Sequence, residues 1–457
     1  MQYSDKFLGE EPIGKLLARL SIPAMVAMMV NALYNLVDTI FVGRGVGTLA
    51  IGGLTIAFPV QMFVMGVAMY VGMGSASIIS RNLGAGNRER AYRTGGNALF
   101  LAVLCGLLMM VLGLIFLDPI LRILGTTDDI FPYAKEYLST VLYGTVFITL
   151  AMTSNNLIRA EGKAKTAMIV MIVGVGSNII LDPVFIFGFK MGIQGAALAT
   201  VIAQFLSFLF VIGFYLSGRS ALKIRLKHFK PAFSIQGEIF KLGFPVFVRQ
   251  IGVSILAIIV NNSLRYYGSS IHIAAFGVVN RLMAFLLMPL MGISQGLQPI
   301  VGYNYGSGKS ERVSEVLKKA IFYSSIIAVF SFLLLMFFPG FFLNLFSPDK
   351  ALKAIGRPAL RIIIIALPLF GLQIVGTMYF LAIGKAIPAM FLGLSRQVIF
   401  LIPFILLFPL FFGLKGVWIS FPVADTLASL VTVLYLLWDR KKRLTELRQL
   451  PNTFSPS

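Results

Sequence analysis

The stretch Asn82-Leu-Gly-Ala-Gly-Asn-Arg-Glu-Arg90 recurs 222 residues later (304 − 82) as Asn304-Tyr-Gly-Ser-Gly-Lys-Ser-Glu-Arg312. The same offset carries Pro23 onto Pro245, and it aligns two further short stretches of the chain. A single offset shared by several separated places indicates an internal duplication. We therefore predict two homologous halves, each of which carries one copy of this loop.

The composition is that of a membrane protein. Of the 457 residues, 58% are hydrophobic and 12% are charged, whereas soluble domains carry about 25% charge. The net charge of +21 then indicates loops that face an anionic membrane surface. Nucleic-acid binding is not expected, because no solvated basic run is interleaved with aromatic residues. One cysteine, Cys105, and two histidines exclude a disulfide framework and a zinc cluster.

Twelve apolar stretches are long enough to cross a bilayer, which needs about 20 residues per helix. Because lipid leaves unpaired backbone groups unsatisfied, all twelve are expected to be helices. The fold class is therefore an all-α integral membrane protein. The predicted spans are 20–41, 49–80, 95–117, 137–158, 166–188, 191–218, 242–264, 266–308, 320–348, 362–384, 386–414 and 416–438.

Six spans in each half give a defined domain organisation. We expect a first six-helix lobe at 1–218, a basic linker at 219–241, a second lobe at 242–438 and a basic tail at 439–457. Six is even, so both halves enter the membrane from the same side, and their pseudo-two-fold axis runs along the membrane normal. With the N-terminus inside, 26 of the 39 lysines and arginines fall in inner segments. The positive-inside rule then predicts that both termini are cytoplasmic.

The first span carries a polar stripe that ends in a carboxylate. Asn31, Tyr34, Asn35 and Asp38 are spaced i, i+3, i+4 and i+7, which places all four on one helix face. An ionisable group in a membrane needs a polar partner or a water-filled cavity. The stripe therefore either lines a substrate cavity or forms a helix-packing seam sealed by asparagines.

A second intramembrane carboxylate lies in span 5. Asp182 has Asn178 one turn before it and Pro183 directly after it, which frees a backbone carbonyl. Together with Asp38 and Thr200 of span 6, these oxygens predict a site for a small cation. Alternatively the two aspartates share a proton, or they form a structural hydrogen-bonded pair.

The second half does not repeat this arrangement. Val260 and Phe404 stand at the offset positions of Asp38 and Asp182, so ion coupling is expected in the first half. The second half instead carries a set of intramembrane charges that either rigidify it, through an arginine–Asp425 pair, or contribute to a cavity wall. These charges are Arg249, Arg281, Arg396 and Asp425.

Nucleotide-driven transport and catalysis are not indicated. The repeated loops contain G-x-G but no G-x-G-x-x-G and no P-loop lysine. No G-x-G-D motif surrounds Asp38 or Asp182, which argues against an aspartyl membrane enzyme. We therefore expect a secondary transporter without a bound cofactor, in which H⁺ or Na⁺ is the only coupling species.

Several motifs, in this order and spacing, resemble the multidrug and toxic compound extrusion (MATE) family and its staphylococcal-type branch. The resemblance covers essentially all twelve spans. It rests on Tyr34-Asn-Leu-Val-Asp38-Thr-Ile-Phe-Val-Gly43-Arg44, Asn82-Leu-Gly-Ala-Gly86, Arg159-Ala-Glu-Gly162, and Asn178 with Asp182-Pro183 ahead of Gly192–Thr200.

The resemblance implies two six-helix lobes around a central cavity. It further implies antiport of amphipathic organic cations against H⁺ or Na⁺ by a monomer in the bacterial cytoplasmic membrane. The family's cation site would fall on Asp38, Asn178, Asp182 and Thr200, and its hinge on Pro23. We add Met152 and Asn155 of span 4 to the substrate cavity formed with Asn31, Tyr34 and Asn35.

The nearest alternative is a lipid-linked oligosaccharide flippase of the same superfamily. Flippases of that kind usually have fourteen spans and an arginine-rich cavity. Twelve spans and the acidic first half argue against this alternative, whereas Arg249, Arg281 and Arg396 favour it.

Overall fold

The structure is a computed structural model that describes residues 3–346 and 350–449. All regular secondary structure in these residues is helical. Nine helices precede the linker: α1 Tyr3–Glu10, α2 Ile13–Gly45, α3 Thr48–Gly84, α4 Arg88–Ile115, α5 Leu117–Ile123, α6 Phe131–Tyr143, α7 Thr145–Ala160, α8 Ala164–Pro183 and α9 Gly192–Leu216.

Nine further α-helices begin at or after Phe233, and the first of them starts inside the predicted linker. They are α10 Phe233–Tyr267, α11 Ser270–Gly306, α12 Ser310–Phe337, α13 Pro339–Phe346, α14 Lys350–Ile363, α15 Phe370–Ala382, α16 Ala386–Leu394, α17 Ile402–Phe412 and α18 Leu414–Gln449. Because α10 begins at Phe233, the last nine residues of the predicted linker are helical.

The prediction of twelve spans is confirmed, although one span is broken. Eleven helical segments of the described chain are long and apolar enough to cross a membrane, and α6 with α7 forms a twelfth that bends by 55°. The predicted fourth span, 137–158, runs through this bend at Gly144. Apolar periodicity does not reveal a bend, because both segments are equally hydrophobic.

By their contacts the described residues form two units. The first runs to residue 255 and includes 283–320 and 378–390; the second consists of 256–282, 321–377 and the chain from residue 391. In the first unit α3 packs against α4 and α7, and α8 packs against α2 and α9. An apolar core there contains Val42, Tyr137, Leu138, Ile186 and Ala197.

The repeated G-x-G loop has a structural explanation in both copies. Its second glycine, Gly86 or Gly308, has a φ of +76° or +74°, a conformation that favours glycine over residues with a Cβ. Asn87 then begins α4 by accepting a hydrogen bond from the backbone N–H of Arg90 at 3.3 Å. The loop is therefore a tight helix-to-helix turn.

The first glycine of each copy permits close packing between α3 and α11. A Cβ on Gly84 would overlap the carbonyl oxygen of Tyr303, and a Cβ on Gly306 would overlap that of Arg81. Tyr303 stands 222 residues after Arg81, as Gly306 does after Gly84, so the contact is reciprocal. The two copies of the repeat therefore pack against each other as a pseudo-symmetric pair.

We expect Gly84→Ala to destabilise the protein by about 1–3 kcal/mol, because overpacking forces the two backbones apart. Gly66→Ala in the same helix is the matched control, since its added Cβ would lie 3.5 Å from Gln250 Cγ, an ordinary contact. Thermal unfolding of the purified variants measures the difference. Equal melting temperatures for the two variants would contradict this packing.

Candidate cation site

Two buried carboxyl groups meet between α2 and α8. Asp38 is 9% exposed and Asp182 is fully buried, and the two side chains lie close enough to interact directly. Asp182 comes just before Pro183, where α8 gives way to a π-helical turn, Val184–Gly188. Such turns are frequent at functional sites. The helix irregularity therefore sits next to one member of the carboxyl pair.

Asn178 and Thr200 complete the cluster. Asn178 Nδ2 donates to Thr200 Oγ1 at 3.3 Å, and the Thr200 hydroxyl donates to the carbonyl oxygen of Ala196 at 3.0 Å. Both side chains are buried, and the Asn178 side chain also neighbours Asp182. The structure thus brings together the four residues that we predicted for cation coupling.

Four oxygen atoms of this cluster lack donors. Asp38 Oδ1, Asn178 Oδ1 and both carboxyl oxygens of Asp182 are buried, and none accepts a hydrogen bond from the described part of the chain. A buried unpaired polar atom costs about 1–3 kcal/mol, so such atoms are usually satisfied. A small cation satisfies several hard oxygens at once, and a proton shared between the aspartates relieves their repulsion.

Tyr137 and Gln61 belong to the site but were not predicted from the sequence. Tyr137 is 2% exposed, its side chain neighbours Thr200 and both aspartates, and Gln61 Nε2 donates to its hydroxyl at 3.1 Å. The sequence does hold a signal for each of them, because a tyrosine hydroxyl and a glutamine amide each stand isolated within an apolar span. Tyr137 stands at the first position of the predicted fourth span, where we interpreted it as part of the apolar stretch.

The structure describes the side chains of three of the five predicted cavity residues. Asn31 and Met152 are partly exposed; the side chains of Tyr34 and Asn35 are not among those described. Asn155 is 4% exposed; its Nδ2 donates to the carbonyl oxygen of Ala167 and its Oδ1 accepts from Arg159 Nε at 2.9 Å. Because both ends of this amide are engaged, Asn155 joins α7 to α8, and its place in the substrate cavity stays a prediction.

The Arg159–Gly162 motif also has structural contacts. Glu161 is 1% exposed and accepts hydrogen bonds from Ser220 Oγ at 2.8 Å and from the backbone N–H of Ala221 at 2.6 Å. Burial raises the pKa of Glu161 to about 7, and these donors oppose the rise. The carboxyl group therefore ties the chain that follows α9 to the end of α7.

Pro23, the predicted hinge, lies inside α2, which is helical on both sides of it from Ile13 to Gly45. Its repeat partner Pro245 likewise lies inside α10. A proline removes one backbone hydrogen bond from a helix interior. Both first spans of the repeat therefore contain a locally weakened point.

In the second unit, Arg396 and Asp425 form an ion pair. Arg396 Nε lies 2.5 Å from Asp425 Oδ1, the guanidinium carbon lies 4.2 Å from the centre of the Phe370 ring, and Asp425 is 1% exposed. Arg396 stands in a π-helical segment, Ser395–Leu401. Arg249 forms no ion pair with a described residue and lies in the first unit, so the predicted network of Arg249, Arg396 and Asp425 reduces to this pair.

We expect Asp425→Ala to cost about 3 kcal/mol or more, because it leaves Arg396 uncompensated. The double variant Arg396→Met/Asp425→Leu should recover most of that stability, since removing both charges removes the desolvation cost. Thermal unfolding and cation efflux measured on the same preparations separate a structural pair from a cavity wall. A double variant that is stable but inactive would contradict the structural interpretation.

Comparison with known proteins also detects the internal repeat. The MatE family model matches twice, over residues 23–184 and 245–407. The two matches start 222 residues apart, which is the offset of the repeated loop. Together they cover more than half of the chain.

Individual relatives match over nearly the whole length. The chain is 29% identical to a multidrug export protein, MepA, of Staphylococcus aureus (strain MRSA252), over 95% of this chain and 96% of the relative. It is 42% identical to the MATE multidrug transporter DinF-BH, which was solved as a complex, with a TM-score of 0.88 over 94% of this chain and 97% of that chain.

A second solved structure is similar at greater sequence distance. It is the outward-facing conformation of a multidrug resistance MATE family transporter of the MOP superfamily, which is 28% identical. Its TM-score of 0.91 applies over 98% of this chain and 99% of that chain. The repeat, the twelve spans and these matches agree, and the chain belongs to the MatE family of membrane transporters.

Proposed function

We propose that the protein is a secondary multidrug antiporter that exports amphipathic organic cations in exchange for H⁺ or Na⁺. The observation that supports this most directly is the set of four donorless oxygens at Asp38, Asn178 and Asp182. The cluster is acidic and lies in an apolar core, so it attracts cations and repels anions. A relative named as a multidrug export protein and a similar structure named as a multidrug transporter support the export of multiple drugs.

Exchange follows from competition for this negative charge. A coupling cation on the Asp38–Asp182 pair reduces the attraction for a positively charged cargo and stabilises one conformation. Cargo binding favours the other conformation, and the equilibrium shifts by the difference in binding free energy between the two states. By linkage, each ligand weakens the binding of the other by the same factor.

One coupling site per molecule is expected from the asymmetry of the repeat. Val260 is 1% exposed within the protein, and Phe404 stacks against Phe400 and Phe408. Neither position offers an oxygen ligand. The second half therefore repeats the fold of the first half but carries no second coupling site of this kind.

The location and assembly are part of the proposal. We place the protein as a monomer in the bacterial cytoplasmic membrane with both termini inside, as the distribution of lysine and arginine favours. The flippase alternative requires arginines that are free to bind pyrophosphate. The Arg396–Asp425 pair removes one of the three candidates, which weakens that alternative.

The test is ethidium efflux from liposomes that contain purified protein, driven separately by a pH gradient and by a sodium gradient. We expect efflux under one gradient, and a loss of at least about tenfold in Asp38→Asn and in Asp182→Asn, since each removes one charge of the pair. Asp118→Asn is the matched control, because Asp118 is 49% exposed in a surface pair with Lys135. Gradient-driven efflux that survives in both site variants would contradict the coupling role, and its absence in wild type would favour the flippase.

Tyr137→Phe removes a hydroxyl beside the pair and leaves the ring in the core. We expect a weaker apparent affinity for the coupling ion, by about threefold to tenfold, with an unchanged melting temperature. Efflux rates measured across a series of pH or sodium concentrations give this affinity. An unchanged affinity would show that Tyr137 only fills space.

A further inference from the structure

Arg249 lies deep within a membrane span. It is eight residues from Lys241 and sixteen from Arg265 along α10, which correspond to about 12 and 24 Å at the helical rise. Lys241 and Arg265 are the nearest charged residues along the helix on either side. The guanidinium is therefore placed within the hydrocarbon region, where a charged group indicates a function by default.

The arginine does not point toward lipid. Phe244, Ile251 and Ile258 recur every seven residues on the exposed face of α10, with exposures of 47%, 40% and 62%. Arg249 precedes Ile251 by two positions, so it lies on nearly the opposite side of the helix. Residues that share its side, Leu242 and Val246, are buried.

The same side of α10 opens at the arginine. Arg249 is itself partly exposed, and Val253, one turn further along, is 42% exposed. Packed side chains therefore give way to accessible space next to the guanidinium. A ligand can reach the charge from that space.

Arg249 has no partner among the residues that the structure describes. Of the other two intramembrane arginines, Arg396 pairs with Asp425, and Arg281, which also lacks a described partner, is exposed. No hydrogen bond, ion pair or ring contact joins Arg249 to any residue that the structure describes. All five N–H donors of its guanidinium are thus available, and an uncompensated charge at this depth is costly unless a ligand completes it.

We propose that Arg249 binds a carboxylate of the exported molecule, so that the cargo includes zwitterionic amphipaths that carry both a cationic centre and a carboxylate. This inference rests on the proposed function, because it describes the cargo of the same transporter. A guanidinium pairs with a carboxylate through two parallel N–H···O bonds, a geometry that lysine does not reproduce. The acidic cluster attracts the cationic centre of the cargo, and Arg249 binds its carboxylate.

The test compares two dyes that differ at one group: tetramethylrhodamine, with a free carboxylate, and its methyl ester. Binding to purified protein is measured by fluorescence polarisation, and efflux is measured in liposomes. For Arg249→Gln we expect the Kd and KM of the free acid to rise at least about tenfold, with those of the ester within about twofold of wild type. Arg249→Lys should be intermediate for the acid, and Arg265→Gln on the same helix is the control.

An equal loss for both dyes in Arg249→Gln and Arg249→Lys, or no change for either dye, would overturn the inference. If Arg249→Gln folds poorly, the selectivity of Arg249→Lys between the free acid and the ester decides the test. Wild-type protein that binds the acid through Arg249 but moves neither dye under any gradient would refute the proposed function and leave this assignment intact. Wild-type protein that binds and exports only the ester would overturn the assignment and leave the proposed function intact.

Discussion

Two carboxyl groups repel each other strongly in a medium that does not solvate charge, and this repulsion constrains the rest of the site. Asp38 and Asp182 meet within an apolar core, with few donors around them. Two adjacent carboxylates are unfavourable in such a place unless a proton or a cation joins them. We propose that the other polar groups of the cluster, Asn178, Thr200 and Tyr137, position or stabilise that ligand.

The frame around this site is symmetric although the site is not. Gly84 and Gly306 pack reciprocally, and Gly86 and Gly308 make the same left-handed turn. Duplication thus preserved the backbone contacts that let two helices approach closely. The charges diverged: the first half holds an uncompensated acidic pair, and the second half holds a compensated pair between Arg396 and Asp425. We propose that a symmetric scaffold with one acidic site allows the exchange of a single cation to shift the conformational equilibrium of the molecule.

Much of this architecture could be predicted from the sequence, because lipid restricts the choices. Span number and the repeat follow from hydropathy and one offset, and helical spacing puts Asn178 on the same face as Asp182. That these two residues meet Asp38 and Thr200 was implied by the resemblance to the family. The bend at Gly144 could not be predicted, since both flanking segments are apolar. The contacts of Asn155 with the backbone carbonyl of Ala167 and the guanidinium of Arg159 could not be predicted, because sequence spacing does not reveal them. Which arginine pairs with Asp425 likewise depends on the tertiary arrangement of the helices.

In the proposed mechanism, cargo and coupling cation compete for the charge of Asp38 and Asp182. Calorimetry of ethidium binding to the purified protein, in buffers of different ionisation enthalpy and at several sodium concentrations, measures this competition. We expect ethidium binding to wild type to release close to one proton or to displace one sodium ion, and Asp38→Asn and Asp182→Asn to abolish this release. Ethidium binding that is independent of both pH and sodium in wild type would contradict competition at the aspartate pair.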